Sequence, residues 1–354
     1  FSCWFFYIVW KMERVLSVAM AWDRDPRFPY ENNQCFGAYL MFFLFSIWLS
    51  RNYLREVLRR AVGLPSAVDD SDEPIRYRWA VLGILAGMAF LVYFGKLLGM
   101  SWGLGIAFFA IYFVLAIAIT RMRAEFGTPV HDLHFTGPDS ILPEVFGTRQ
   151  FSHSDLTAMS LLYTMNRAYR SHPMPHQLEA FKLAEQTRSN LRGWYWGMIF
   201  AGIIGSLAAF WAMLHLNYDY GAVSKSRISF GGESYTRLST WLQMPTDANI
   251  TATLAIGVGL LISFFLQFMR TRFTWWPFHP LGFAVSGSWE MNLVWMPLFI
   301  AWLVKVFLLR YGGLRLYRRS LPFFFGLILG QFVVGSIANI IGILYDVPTY
   351  QFWQ

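Results

Sequence analysis

The stretch Phe273–Pro297, FTWWPFHPLGFAVSGSWEMNLVWMP, decides how the chain must be read. It is apolar enough for a membrane segment, yet it holds Pro277, Pro280 and Pro297, Gly282 and Gly287, and the ionisable His279 and Glu290. Proline inside a helix removes a backbone donor and clashes with the preceding turn, so one straight helix is a poor fit. Arginines on either side sharpen the point. Arg270 and Arg272 precede the stretch, and Arg310, Arg315, Arg318 and Arg319 follow it. Arginine clusters at the ends of apolar blocks mark cytoplasmic loops, and a single crossing would put these two clusters on opposite sides. About 37 residues lie between Arg272 and Arg310, too many for one span of roughly 20 residues and few for two. A broken or re-entrant region over residues 273–309 resolves the count, because the chain enters and leaves on one side.

Composition supports the membrane setting. Of 354 residues, 56% are hydrophobic and 14% charged, where a soluble domain carries about 25% charged. The apolar residues fall in seven or eight blocks: Phe1–Trp22, Cys35–Ser50, Trp79–Leu98, Ser101–Thr120, Trp194–His215, Ile250–Met269, the broken region, and Leu321–Leu344. The expected architecture is an all-α polytopic integral membrane protein. It has about seven or eight transmembrane helices, a broken or re-entrant segment and amphipathic cytoplasmic helices. Residues 1–354 form one membrane domain, with a cytoplasmic loop at 121–192 and an extracytoplasmic loop at 217–249 that includes a short hairpin in SRISFGGESYTRLSTWL. Arg51, Arg55, Arg59, Arg60, Arg76, Arg78, Arg121 and Arg123 fix the same side as cytoplasmic. The net charge of +8 therefore reads as topology and not as nucleic-acid binding. The chain starts at Phe1 inside an apolar run, without a leader pattern, and is expected to be the C-terminal part of a longer protein or one piece of a larger assembly. Cys3 and Cys35 are expected near opposite membrane faces, too far apart for a disulfide.

Charged and polar groups at membrane depth are costly and mark candidate sites. Glu290 is the first of these, a proton or substrate-amine ligand beside the backbone that Gly287 and Ser288 would expose; the alternative is an interfacial residue paired with His279 or an arginine. Asn292, Gln331 and Asn339 are polar neighbours that either bind substrate or join helices. Lys305 reads as a snorkelling residue. His131 and His134, with Asp132 between them, are weak metal candidates to which His153, His172 and His176 would have to add ligands; a Gly/Pro-structured cytoplasmic loop is the preferred account of them. No phosphate loop, zinc-protease signature or nucleophile elbow is present, so no enzyme activity and no cofactor is expected. Stripes of small residues (Gly83, Gly87, Gly95, Gly99 and Gly103; Gly193, Gly197, Ala201 and Gly205; Gly326 and Gly330) are expected to pack helix against helix.

The segments MRTRFTWWPFHPLGFAVSGSW and WLVKVFLLRYGGLRLYRRSLPFFFGLILGQ resemble the C-terminal part of the oligopeptide-transporter superfamily. The matching elements are Phe273, Trp275 and Trp276, then Lys305, Tyr311–Gly313, Pro322, Gly326 and Gly330. The Asn-Pro-Gly motif of the eukaryotic peptide branch is absent. RAEFGTPVHDLHFTGPD is similar to a group of bacterial and archaeal polytopic membrane proteins of unknown function, distant neighbours of those transporters. The resemblance implies a secondary transporter in the plasma (inner) membrane of a prokaryote, with proton-coupled uptake of small peptides or metal chelates. It also implies that a missing N-terminal half supplies part of the path. The partners expected are the lipid bilayer, a small-molecule substrate, and that N-terminal half or other membrane subunits. Two other classes stay open: a structural subunit of an energy-converting membrane complex, and a membrane-embedded metalloenzyme using the cytoplasmic histidines.

Overall fold

The computed structural model describes residues 1–21, 27–127, 133, 136–169, 172–221, 229–345, 347 and 349. Among them every regular element is helical. In chain order the helices are α1 (Ser2–Ala19), α2 (Glu31–Val62), α3 (Tyr77–Leu97), α4 (Trp102–Phe126), α5 (Pro138–Phe146), α6 (His153–Leu161), α7 (Tyr163–Asn166), α8 (Pro173–Gln186), α9 (Leu191–Tyr220), α10 (Ser229–Gln243), α11 (Ile250–Arg272), α12 (Pro280–Ser286) and α13 (Met291–Tyr345). Six of them, α2, α3, α4, α9, α11 and α13, are long and apolar enough to cross a membrane. Their starts follow ordinary capping chemistry, in which a side chain satisfies a first-turn N–H that has no carbonyl partner. Asn190 accepts from the Arg192 N–H before α9, and Asn249 from the Ala252 N–H before α11, both at 3.0 Å.

The chain divides into two compact units, Ser2–Leu293 and Phe1 with Val294–Gln354. The second unit is mostly α13. The YGG stretch, expected as the gap between two blocks, reduces to a single non-helical residue: Gly313 sits at φ 59°, ψ −164°. A side chain there would be forced into a conformation that only glycine adopts at little cost, so Gly313 divides α13 into two helical arms. Lys305 places its ammonium 5.5 Å from the centre of the Tyr317 ring, across that kink.

In the larger unit, α2 and α11 form the tightest pair. A Cβ on Gly37 would overlap the Ile256 carbonyl, and one on Gly259 would overlap the Gln34 carbonyl. The two backbones touch because neither position carries a side chain. The stripes picked out by spacing are mixed: Gly95 faces Phe109 of α4 and Gly99 faces Ser154, whereas Gly83, Gly87, Gly197, Gly205, Gly326 and Gly330 face open space.

Several arginine-bearing helix ends are tied together by polar contacts. Glu125, in the last turn of α4, binds Arg270 of α11 at 2.7 Å and Arg121 at 3.3 Å. Arg123 binds Glu179 of α8 at 2.5 Å, and Arg192, at the start of α9, donates to the Ser71 carbonyl between α2 and α3 at 3.1 Å.

The described part of residues 121–192, expected as a cytoplasmic loop, lies along α4. The Ser101 N–H, at the opposite end of α4, donates to Asp155 of α6 at 2.6 Å. Tyr112, halfway along α4, packs on Tyr169 and His172 with ring centres 5.5 and 5.4 Å away. Ser101 and Arg123 are about 33 Å apart at the helical rise. The segment therefore runs the length of α4 and returns to Glu179. Its apolar side forms a core with α3 and α4 through Met100, Leu104, Phe108, Leu142, Leu156 and Met159.

The expected hairpin is instead the helix α10, which packs on α6 and α7. Ser160 Oγ donates to the Ser234 carbonyl at 2.6 Å. Arg237 lies between the Tyr163 and Trp241 rings, 4.4 and 4.7 Å from their centres, and binds Asp139, whose side chain is 2% exposed. In a strand Arg237 and Trp241 would share a face but stand about 13 Å apart; one helical turn brings them into contact.

Candidate functional site

The decisive stretch breaks where its prolines and glycines place the break. After α11 the chain turns through Trp275–His279, and α12 starts at Pro280, a residue suited to the first helical position. His279 Nδ1 caps it by accepting the Leu281 N–H at 3.1 Å. All seven residues of α12 are buried. Helix α12 packs on α1 and α2: Gly282 lies against Ser2 and the Cys3 backbone. The Trp10 indole donates to Ser286 Oγ at 2.7 Å, and Cys35 Sγ donates to the Phe283 carbonyl at 3.7 Å. Cys3 and Cys35, expected near opposite faces, thus flank the same short helix. Both thiols are free and buried, and the reason is that α12 dips inward to meet them.

Helix α12 ends at the level of Glu31 and Cys35, where Gly287 faces Cys35 Sγ and the Glu31 carbonyl. That level is inside the bundle. Gln34 meets Gly259 of α11, about 14 Å from the start of α11 and about 20 Å from its end at the helical rise. The first turn of α2 thus begins within the length of α11, on the side of its start, where Asn249 donates to the Glu144 carbonyl.

A cavity of about 330 Å³ opens at this first turn, lined by Arg14, Arg27, Tyr30, Glu31, Asn33 and Glu144 among others. Glu144 comes from α5, the segment that runs along α4. Its Oε2 accepts from Asn33 Nδ2 at 2.8 Å, its Oε1 from Arg27 at 3.2 Å, and its carbonyl from the Asn249 N–H at 2.9 Å. Tyr30 holds φ 61°, ψ 41° just ahead of Glu31, a left-handed conformation that costs a bulky residue about 1–2 kcal/mol. Such strain persists where the surroundings impose it, and here the buried Tyr30 ring lies under the Arg27 guanidinium at 5.7 Å. On the other side of Glu31 is a second, small cavity lined by Tyr7, Trp10, Lys11, Ser286, Ser288 and Asn292. Glu31 lines both.

Of the residues singled out in sequence, Asn292 is in this site: its Oδ1 accepts from the Tyr7 hydroxyl at 3.0 Å. Glu290 lies in the turn between α12 and α13, half-buried, and lines neither cavity. Gln331 and Asn339 are exposed on α13 in the other unit. His279 lies 3.8 Å from Glu125 at the arginine-rich end. Burial, reinforced by the Arg270 charge and opposed by Glu125, pushes its imidazole down to about 4. Its Nδ1 is already an acceptor, so the proton sits on Nε2. The neutral ring favours the fold, a contribution complete above the ordinary histidine value near 6.5 and lost as pH falls from there through 4. We expect the thermal midpoint to drop over that interval. The drop should be smaller in His279→Asn, which keeps a capping oxygen and does not titrate; an equal drop would remove His279 from the account.

His131 and His134 lie outside the described residues. The histidines needed to complete a metal set stand at three heights along α4: His153 beside the Ser101 end, His172 at Tyr112, and His176 on α8 near Arg123. Among the described residues no group of three or more His, Cys, Asp or Glu converges. Glu31, Asn33 and Glu144 were not singled out from the sequence. The available signal was the run Glu31–Gln34, ENNQ, immediately ahead of the block that starts at Cys35.

The profile of a family of unknown function matches residues 1–354 in full. The chain belongs to DUF6785. No curated protein and no solved structure matches it. For this DUF6785 chain the chemistry of the cavity, with two carboxylates, two guanidiniums and amides around an interior helix start, is the primary functional information.

Proposed function

We propose that this chain is the membrane-embedded part of a secondary transporter working by alternating access, with the Glu31 cavity as its solute and proton site. One observation carries the reading. Two interrupted segments, α12 and the run through α5–α7, meet at the interior start of α2, where a polar cavity opens. Backbone interrupted at membrane depth is tolerated only where it is buried in protein or lines a cavity, and transporters place their sites there. In this reading the helices insert in the plasma membrane of a prokaryote with the arginine-rich end cytoplasmic. The broken region adds to the six long helices to make seven or eight passes. The resemblance to oligopeptide transporters points to proton-coupled uptake of small peptides or metal chelates.

Proteoliposomes containing the chain and a trapped pH indicator test this. Di- and tripeptides or metal chelates added outside are expected to drive solute-dependent proton movement, and Glu31→Gln should slow it by about tenfold or more, a loss of at least about 1.4 kcal/mol in the coupled step. Solute-independent traces for wild type, or an unaltered rate for Glu31→Gln, would overturn the assignment. Glu290→Gln in the same assay separates the two carboxylates.

A second reading, a structural subunit of a larger membrane assembly, is favoured by α9, which buries none of its 30 residues. Solution mass of the detergent-solubilised complex distinguishes it: stoichiometric partner chains that cover α9 would support that role.

A further inference from the structure

One side of α1 spans both cavities at the start of α2. Tyr7, Trp10, Lys11 and Arg14 follow helical spacing and share that side. The first three line the small cavity and Arg14 the larger one, with Glu31 facing both. The polar groups around the small cavity are mostly committed to one another. Trp10 Nε1 donates to Ser286 Oγ at 2.7 Å, which donates on to the Phe283 carbonyl at 2.6 Å. The Tyr7 hydroxyl donates to Asn292 Oδ1 at 3.0 Å, and Asn292 Nδ2 to the Trp289 carbonyl at 2.9 Å.

The Lys11 ammonium and the Glu31 carboxylate differ. Neither makes a hydrogen bond or an ion pair among the described residues, and Lys11 Nζ stands 5.0 Å from the centre of the Tyr7 ring. The cavity they share measures about 10 Å³, close to the least that admits one water. Polar groups too far apart for direct contact are commonly joined by such a water. The other charges facing Glu31 are Arg14, Arg27 and Glu144 across the larger cavity. Arg27 is held by Glu144 at 3.2 Å, and Arg14 aims one nitrogen at the Phe28 carbonyl at 3.4 Å. Glu13 of α1 lies within reach of the Glu31 charge and repels it. Helix α12 brings no titratable group, and the tyrosines and buried Cys35 stay neutral below about pH 8.

We propose that Lys11 is a positioning residue for the Glu31 proton: bridged to Glu31 by one water in the small cavity, it holds the carboxylate ionised between proton loads. The role in coupling rests on the reading of Glu31 as the proton site; the pairing itself does not.

Infrared titration of the full chain reads the pairing without any transport step. The carbonyl band of protonated carboxyl that is missing in Glu31→Gln reports Glu31, and its loss with rising pH gives the midpoint. An opposite charge within about 4–6 Å lowers a carboxyl midpoint by about 1–3 units. Lys11→Met should therefore raise the Glu31 midpoint by about one pH unit or more. Lys11→Arg, which keeps the charge, should leave it near the wild-type value. Ionisation of Glu31 should also alter a stretching band that shifts in heavy-oxygen water, and Lys11→Met should lack that band. An unmoved midpoint in Lys11→Met would overturn the proposal, as would an equal rise in Lys11→Arg or in Arg14→Gln. A water band that survives Lys11→Met would remove the bridge and the proposal with it. In proteoliposomes, the pH profile of solute-dependent proton movement should shift the same way as the infrared midpoint. A shifted midpoint with no solute-dependent movement fails the transport reading and keeps the pairing; movement with an unshifted midpoint does the reverse.

Discussion

Arg237→Ala is expected to destabilise the protein by about 3–5 kcal/mol, the cost of leaving a buried carboxylate without its partner. Asp139 has 2% of its side chain exposed and is bound by Arg237, which also lies between Tyr163 and Trp241. Removing the guanidinium strips the counter-charge from Asp139 and two ring contacts at once. The double variant Asp139→Asn, Arg237→Met should recover much of the loss, because a neutral amide and an unbranched apolar chain remove the stranded charge while filling similar volume. Thermal or denaturant melts of the single and double variants measure this directly. A single-variant loss below about 1 kcal/mol would show that Asp139 reaches water or another cation. Glu233 reinforces the same joint: it accepts from the Tyr163 hydroxyl at 2.8 Å and from Arg167 at 2.9 Å.

The second large effect is expected from Gly259→Leu. An alanine there already overlaps the Gln34 carbonyl, and backbone cannot yield as a flexible side chain can. Overpacking a core costs about 1–3 kcal/mol where side chains can shift, so a leucine against backbone should exceed that range or force α2 and α11 apart. Gly257, two residues away and facing open space, is the control: Gly257→Leu should leave the melting midpoint nearly unchanged. If both variants behave alike, α2 and α11 do not touch as described. The contrast matters for the Glu31 site, because Gln34 and Gly37 hold the first turns of α2 at their interior height.

The two effects also show what a sequence can and cannot convey. Long apolar blocks are legible because length alone distinguishes them, and all six long helices cover blocks recognised by composition. The interruption before α12 is legible because Pro277, Pro280 and Gly287 cannot all sit inside a helix. The run through α5–α7 is not: its helices are nine residues or fewer, and polar residues such as Asp139, Ser152 and Asp155 make it resemble a surface loop. Their partners, Arg237 and the Ser101 N–H, are distant in sequence. Likewise α10 reads as a turn-rich hairpin because of Gly231 and Gly232, although Tyr163 and Asp139 recruit its Arg237 as a helix would present it. Glycine spacing misleads in the opposite direction. Regular intervals drew attention to Gly83 and Gly87, which touch nothing, while the close contacts belong to Gly37 and Gly259, which no interval marks. Glu31 escaped notice for a related reason: as the residue ahead of an apolar block it resembles a surface cap, and only the packing of Gln34 on α11 moves it inward.

The seclusion of Cys3 and Cys35 against α12 has a practical side. With 6% and 2% of their surfaces exposed, the native thiols are shielded from bulky water-soluble maleimides, so the natural sequence already provides a quiet background for single-cysteine reporters. A thiol introduced at Asn32 or Thr136, which also line the Glu31 cavity, can then be read for solvent entry without first rebuilding the interior. Conversely, any reagent that does consume the native pair reports that α12 has withdrawn from its seat.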